Sequence, residues 1–222
     1  MKAIALRMLI TAGVASIFIW FYWSNKQSVG YFAETHDGVT SIQAGTTPSN
    51  IAISVLGLAL FCVLMQIKIQ VEDFHVAPLW RRFAAFLIDF LFSLIVLSSI
   101  YAAVPLLVEA ARTGSFRWHY ERDYWVPTDL VNVILIFVFM ANVFMHFAFP
   151  LARCRQTMGS FILRIATVSA GGSLLRMPLS TATWRTYKEF AGLCSPWRTI
   201  KERDLQGKTW YDRETGFTVV TY

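Results

Sequence analysis

Residues 83–108 read FAAFLIDFLFSLIVLSSIYAAVPLLV. The stretch is apolar almost throughout and holds one ionisable side chain, Asp89. A helix needs about 20 such residues to cross a hydrocarbon core, so this run predicts a transmembrane helix. Three more runs have similar character, at residues 8–23, 51–67 and 130–150; the last carries Asn132, Asn142 and His146. Composition agrees. Of 222 residues, 55% are hydrophobic and 15% charged, against about 25% charged in a soluble domain. Mean hydropathy is +0.48. These values exclude a disordered chain, a coiled coil and a DNA-binding module. The fold class expected is an all-α membrane protein, with four transmembrane helices and a small cytoplasmic α/β segment at the C-terminal end.

Charge distribution sets the expected orientation. Sixteen of the twenty Lys and Arg residues fall before the first run, between the second and third, and after the fourth. The other four lie in the two remaining loops. Cytoplasmic loops carry the excess of positive charge, which predicts both termini inside a bacterial cytoplasmic membrane. Lys2 and Arg7 ahead of an apolar run also resemble the start of a secretory signal. The run closes on Trp20, Phe21, Tyr22 and Trp23 without a small-x-small pair, which predicts a retained helix with an interfacial aromatic end. The isoelectric point near 9.4 thus reflects topology and adhesion to anionic headgroups. Nucleic acid is not an expected partner.

The loop between the first two runs is rich in Gly, Ser and Thr and reads as turns with a short hairpin. The loop between the last two interleaves charge with Phe116, Trp118, Tyr120, Tyr124 and Trp125 and reads as interfacial. In the tail, residues 161–168 and 216–222 are β-prone and are expected to pair, with Gly171 and Gly172 supplying a turn. Pro178 and Gly192 bracket a helix. Cys62, Cys154 and Cys194 form no CxxC pair, so neither a disulfide framework nor a metal site is expected. Phosphate-binding loop, dinucleotide, zinc-protease and nucleophile-elbow motifs are absent from the sequence. No enzyme activity and no cofactor are therefore expected.

Three segments resemble the RDD family of small bacterial membrane proteins, named for one arginine and two aspartates. Arg82, Ala85, Ile88 and Asp89 fit its R-x-x-A-x-x-I-D pattern at the start of a transmembrane helix. Gln156, Thr157 and Gly159 resemble its Q-T-x-G turn, and the segment from Arg164 to Val168 the strand that follows. Asp212, in a D-x-x-x-G segment closing on Gly216, is similar to its second aspartate. Ser160 departs from the basic residue usual after the turn glycine, and Phe217 is inserted after Gly216. The resemblance covers about residues 77–222; residues 1–70, with two helices and a loop, stand outside it. Some relatives are linked to cation or proton antiport, so the resemblance implies transport as one function.

Arg82 and Asp89, seven residues apart, share a helix face at about 10 Å separation. Arg82 is expected to snorkel to lipid phosphate. Asp89 lies deeper, where an unpaired carboxylate is costly, and is expected to hydrogen-bond Asn142, His146 or both across to the fourth helix. Asp212 is expected to cap backbone N–H groups or to pair with Arg164 or Arg185. Two functions fit these residues. One is a non-catalytic membrane subunit or assembly factor that docks a membrane partner or a second copy. The other is a cation, proton or small-solute transporter with Asp89 as its carboxylate. The topology itself is testable: a reporter fused after Tyr222 should behave as cytoplasmic and one inserted near Gly45 as external, and the opposite labelling at either site refutes the orientation.

Overall fold

The computed structural model describes residues 2–24, 30–36, 39–67, 75–124, 126–127, 129–153, 155–169, 177–204 and 206–222. The expected Gly171–Gly172 turn, Cys154 and Trp125 lie outside them. Four long helices coincide with the four apolar runs: α1 (Lys2–Ser24), α2 (Pro48–Gln66), α3 (Leu79–Thr113) and α4 (Asp129–Ala152). All four are long and apolar enough to cross a membrane. At 1.5 Å per residue, α3 is about 52 Å long, well beyond a hydrocarbon thickness of about 30 Å. Local chemistry starts these helices. Pro48 occupies the first turn of α2, where its missing N–H costs nothing. The Thr47 hydroxyl accepts from the Asn50 N–H. At α4, Asp129 accepts from the Val126 N–H at 2.9 Å.

The chain forms two compact units, and each long helix contributes to both. One unit comprises Met1–Ile10, Phe61–Leu91 and Phe144–Tyr222. Here the short helix α5 (Met158–Ile162) leads into strand β5 (Ile165–Ser169). Helices α6 (Leu179–Cys194), α7 (Pro196–Lys201) and α8 (Trp210–Thr215) follow, and strand β6 (Phe217–Thr221) ends the unit. β6 is the centre of an antiparallel sheet. It pairs with β5 in the register Thr167↔Val219, and with the two-residue β3 (His75–Val76) as Val76↔Val220. Ala77, Ala85, Ile165 and Val219 form a core beneath it. The two β-prone tail runs therefore do pair. The first strand begins later than its residue preferences suggest, because Thr157 caps α5 over residues expected to be extended. Arg164 then turns the chain with φ of 55°.

The other unit comprises Thr11–Leu60 and Phe92–Val143. The expected hairpin is present as β1 (Gly30–His36) and β2 (Val39–Gly45). It is extended by β4 (His119–Arg122), which pairs with β2 from Ile42↔Arg122 to Gly45↔His119. The segment read as interfacial thus supplies a third strand, since an open hairpin edge presents unpaired backbone groups that a neighbouring β-prone segment satisfies. Ile42 and Ala44 are buried on this sheet.

Among the described glycines, close approach to another backbone is concentrated at Gly159. A Cβ on Gly159 would lie 2.1 Å from the Ala85 carbonyl oxygen, a backbone atom of α3. A Cβ on Gly13 would meet only the flexible end of Leu60, at 3.2 Å. Gly159→Ala should therefore destabilise the protein by about 1–3 kcal/mol, the usual cost of overpacking. Gly13→Ala should be close to neutral; thermal unfolding of both variants in detergent checks the contrast.

Candidate functional site

The site is built on the first turns of α3. Arg82 is 2% exposed. Its Nε donates to the Ala77 carbonyl at 3.1 Å, its Nη1 to Asp212 Oδ2 at 2.6 Å and its Nη2 to the Val219 carbonyl at 3.1 Å. The expected snorkelling to lipid is thereby corrected: the guanidinium turns into the protein because a buried carboxylate and two backbone carbonyls offer what headgroups would. Asp212 holds a second arginine. Arg185 Nη2 donates to its Oδ1 at 3.0 Å, while Arg185 Nη1 donates to the Thr215 hydroxyl and the Phe217 carbonyl. Asp212 also accepts from the Thr209 N–H at 3.1 Å, completing a capping box at α8. Both expected roles of Asp212, capping and pairing with Arg185, are present. Arg164 is exposed and serves the turn through its backbone.

Asp89 lies two turns further along α3 and is also 2% exposed. Its Oδ1 accepts from the Gly159 N–H at 2.7 Å. The expected link to the fourth helix is corrected by this geometry. Asn142 donates to the Tyr101 hydroxyl at 2.7 Å and to the Val138 carbonyl of its own helix. The His146 ring packs against Phe61 at 4.4 Å between centroids. Gly159 prevails because the start of α5 offers backbone N–H groups that the helix itself leaves unused, and its lack of a side chain lets α5 approach α3 closely. Gln156 braces the same turn: its side-chain amide donates to the Ile165 carbonyl, and its oxygen accepts from the Tyr222 hydroxyl at 3.0 Å.

A cavity of about 40 Å³ lies beside these groups, lined by Arg82, Asp89, Thr157, Thr186 and Glu189 among apolar side chains. Glu189 was not singled out from the sequence. Its signal was the spacing of Arg185, Thr186 and Glu189, which places all three on one face of α6. Burial pushes the Glu189 carboxyl above the usual carboxylate range, and Arg185 and Arg82 only partly offset that. Asp212 behaves oppositely: burial raises it, but Arg185 and Arg82 outweigh burial and hold it below the usual range. The cluster contains two guanidinium groups and three carboxyls. With every group ionised it carries one surplus negative charge, which calls for a bound proton or cation. Among the described residues, no group of three or more His, Cys, Asp or Glu side chains is arranged to hold a metal ion.

Residues 76–192, more than half of the chain, match the RDD family. The chain belongs to the RDD family. The match includes Arg82, Asp89, the Gln156–Gly159 turn, Arg185 and Glu189, whereas Asp212 lies beyond it. Neither a curated protein nor a solved structure matches the chain. With its four long apolar helices, this RDD protein is a membrane protein.

The charge lock has a pH signature. Because the folded Asp212 is held below its ordinary value of about 3.9, its stabilisation is complete above that value and is lost as pH falls through the lower folded one. Asp212→Asn leaves two buried guanidinium groups uncompensated and should cost about 3–5 kcal/mol near neutral pH. The variant should also lose less stability than the parent as pH falls below about 4, because the contribution of Asp212 is absent from it. Circular dichroism melts in detergent across pH 3–7 check both.

Proposed function

We propose that this RDD protein binds and exchanges a proton or small cation at the Asp89–Glu189 cavity and carries it across the membrane. The observation that supports this most is the pair of carboxylates, Asp89 and Glu189, lining one cavity whose two neighbouring arginines are already shared with Asp212. A cavity of about 40 Å³ suits one or two waters or a small ion, since a water's share of liquid volume is about 30 Å³. The hydroxyls of Thr157 and Thr186 add neutral oxygens of the kind that hard cations and protonated waters favour. Arg82 and Arg185 are engaged by Asp212, and they offset the burial of Glu189 only in part.

The reading takes the protein to be a multi-pass protein of the bacterial cytoplasmic membrane with both termini inside, supported by the sixteen-to-four distribution of basic residues. It requires no enzymatic step and no cofactor. Its partners are the bilayer, anionic headgroups at the cytoplasmic face and, where a wider path is needed, a second copy of the chain. A second reading, a non-catalytic membrane subunit or assembly factor, is supported by the Arg82–Asp212–Arg185 lock, which would serve a scaffold equally well.

Reconstitution into liposomes loaded with a pH-sensitive dye separates the two. The first reading expects cation-dependent proton flux that falls at least tenfold in Asp89→Asn and in Glu189→Gln, both still folded. Absence of flux from the parent protein, together with co-purification of a stoichiometric membrane partner, would sink it in favour of the second.

A further inference from the structure

A third buried arginine belongs to the unit that carries the three-stranded sheet β1-β2-β4. Arg122 ends strand β4 and is 8% exposed. Its Nη2 donates to Asp129 at the start of α4. That carboxylate is already well supplied, accepting also from the Val126 N–H at 2.9 Å and from Asn132 at 3.2 Å. The remaining donors of Arg122, Nε and Nη1, are buried and have no hydrogen-bond partner among the described residues. The rings of Tyr120 and Tyr124 stand 5.7 and 5.6 Å from the guanidinium carbon. They favour the cation through their faces, but they are not acceptors for N–H groups in the guanidinium plane. A buried donor left unmade is costly, and two on one charged group point to a missing acceptor.

Beside Arg122 lies a cavity of about 200 Å³ that it lines together with Arg112, Arg117, Glu109, Glu121 and Ser115. Both acids are engaged. Glu109 accepts from Arg112 within α3, and Glu121 accepts from Gln43 at 2.7 Å and Ser41 at 3.5 Å. Arg117 is exposed and makes no ion pair among the described residues. Asp129 offsets Arg122 and Glu109 offsets Arg112, which leaves the exposed Arg117 beside Glu121, and the unused donors are guanidinium N–H groups. The complementary ligand is an anion that presents acceptor oxygens only. A phosphodiester meets both conditions, and arginine's fork suits phosphate geometry.

The cavity's level in the fold indicates where such a group would come from. The apolar run of α3 ends at Val108, and the lining begins around that point, at Leu106 and Glu109. Phe116, Trp118 and Tyr124, all at least 44% exposed, follow within the same segment. Aromatic side chains of this kind collect where hydrocarbon meets headgroups. We propose that this cavity binds the phosphate of a phospholipid headgroup, with Arg122 as its buried donor and Arg117 as its exposed one.

The test uses the purified full-length protein in detergent, with native mass spectrometry to count bound lipid and thermal unfolding to read stabilisation. Phosphatidylglycerol should be retained and should raise the melting temperature, whereas a galactosyl diacylglycerol, which lacks phosphate, should do neither. Inorganic phosphate is the third arm: weak or no stabilisation assigns the phosphate to lipid, and stabilisation equal to that by phosphatidylglycerol overturns the lipid assignment. Arg117→Gln removes one basic residue near the surface and should weaken phosphatidylglycerol retention about fivefold. Arg122→Lys keeps the charge but loses the fork and should weaken it further; if that variant does not fold, Arg117→Gln decides alone. Equal retention of phosphatidylglycerol and the galactolipid, or retention unchanged in Arg117→Gln, overturns the proposal.

Discussion

A carboxylate with no access to water must be compensated by its neighbours, and at Asp212 two guanidinium groups and one backbone N–H do so. Arg82 and Arg185 each place a nitrogen within 3.0 Å of its oxygens. Their positions are 130 and 27 residues away in the chain, so satisfying one side chain draws the start of α3, the middle of α6 and the first turn of α8 to one point. The same arginines also donate to the carbonyls of Val219 and Phe217. Strand β6 is thereby fixed beneath the helices, and β3 and β5 add to its two edges. Replacing a buried ion cluster as a whole by apolar residues is often neutral for stability, whereas removing one member is not. The lock is therefore an all-or-none element of this unit.

Asp89 uses a different compensation. α5 has five residues, too few for a helix dipole to matter much, and what it supplies is unpaired backbone N–H groups at its start. Gly159 is the means of access, because any side chain there would strike the Ala85 carbonyl. The carboxylate is thus oriented by a backbone N–H. Together with Glu189 across the small cavity, this leaves the surplus charge on which the functional reading rests.

Arg122 and Asp129 repeat the theme in the other unit, with an instructive difference. Every side-chain nitrogen of Arg82 has a protein acceptor, while two of those on Arg122 have none among the described residues. A fully used guanidinium is a structural member. One with buried donors to spare is poised to bind, and it lies next to a cavity where the apolar part of α3 gives way to aromatic and charged residues.

The sequence by itself determined the four long helices, the pairing of the two β-prone tail segments and the helix begun by Pro178, and for Asp212 it offered Arg185 as one of two arginine partners. Hydropathy and residue preference are properties of consecutive residues, so they can be read along the chain. Tertiary structure decided the burial of Arg82, the partner of Asp89, the role of Glu189 and the third strand β4. Gly192, expected to close α6, instead lies within it, where a Cβ would meet the Tyr211 ring at 2.7 Å. In each case the deciding group is remote in sequence or is a backbone N–H or carbonyl. Such groups are the same on nearly every residue, and only the folded chain selects which of them meets a given side chain.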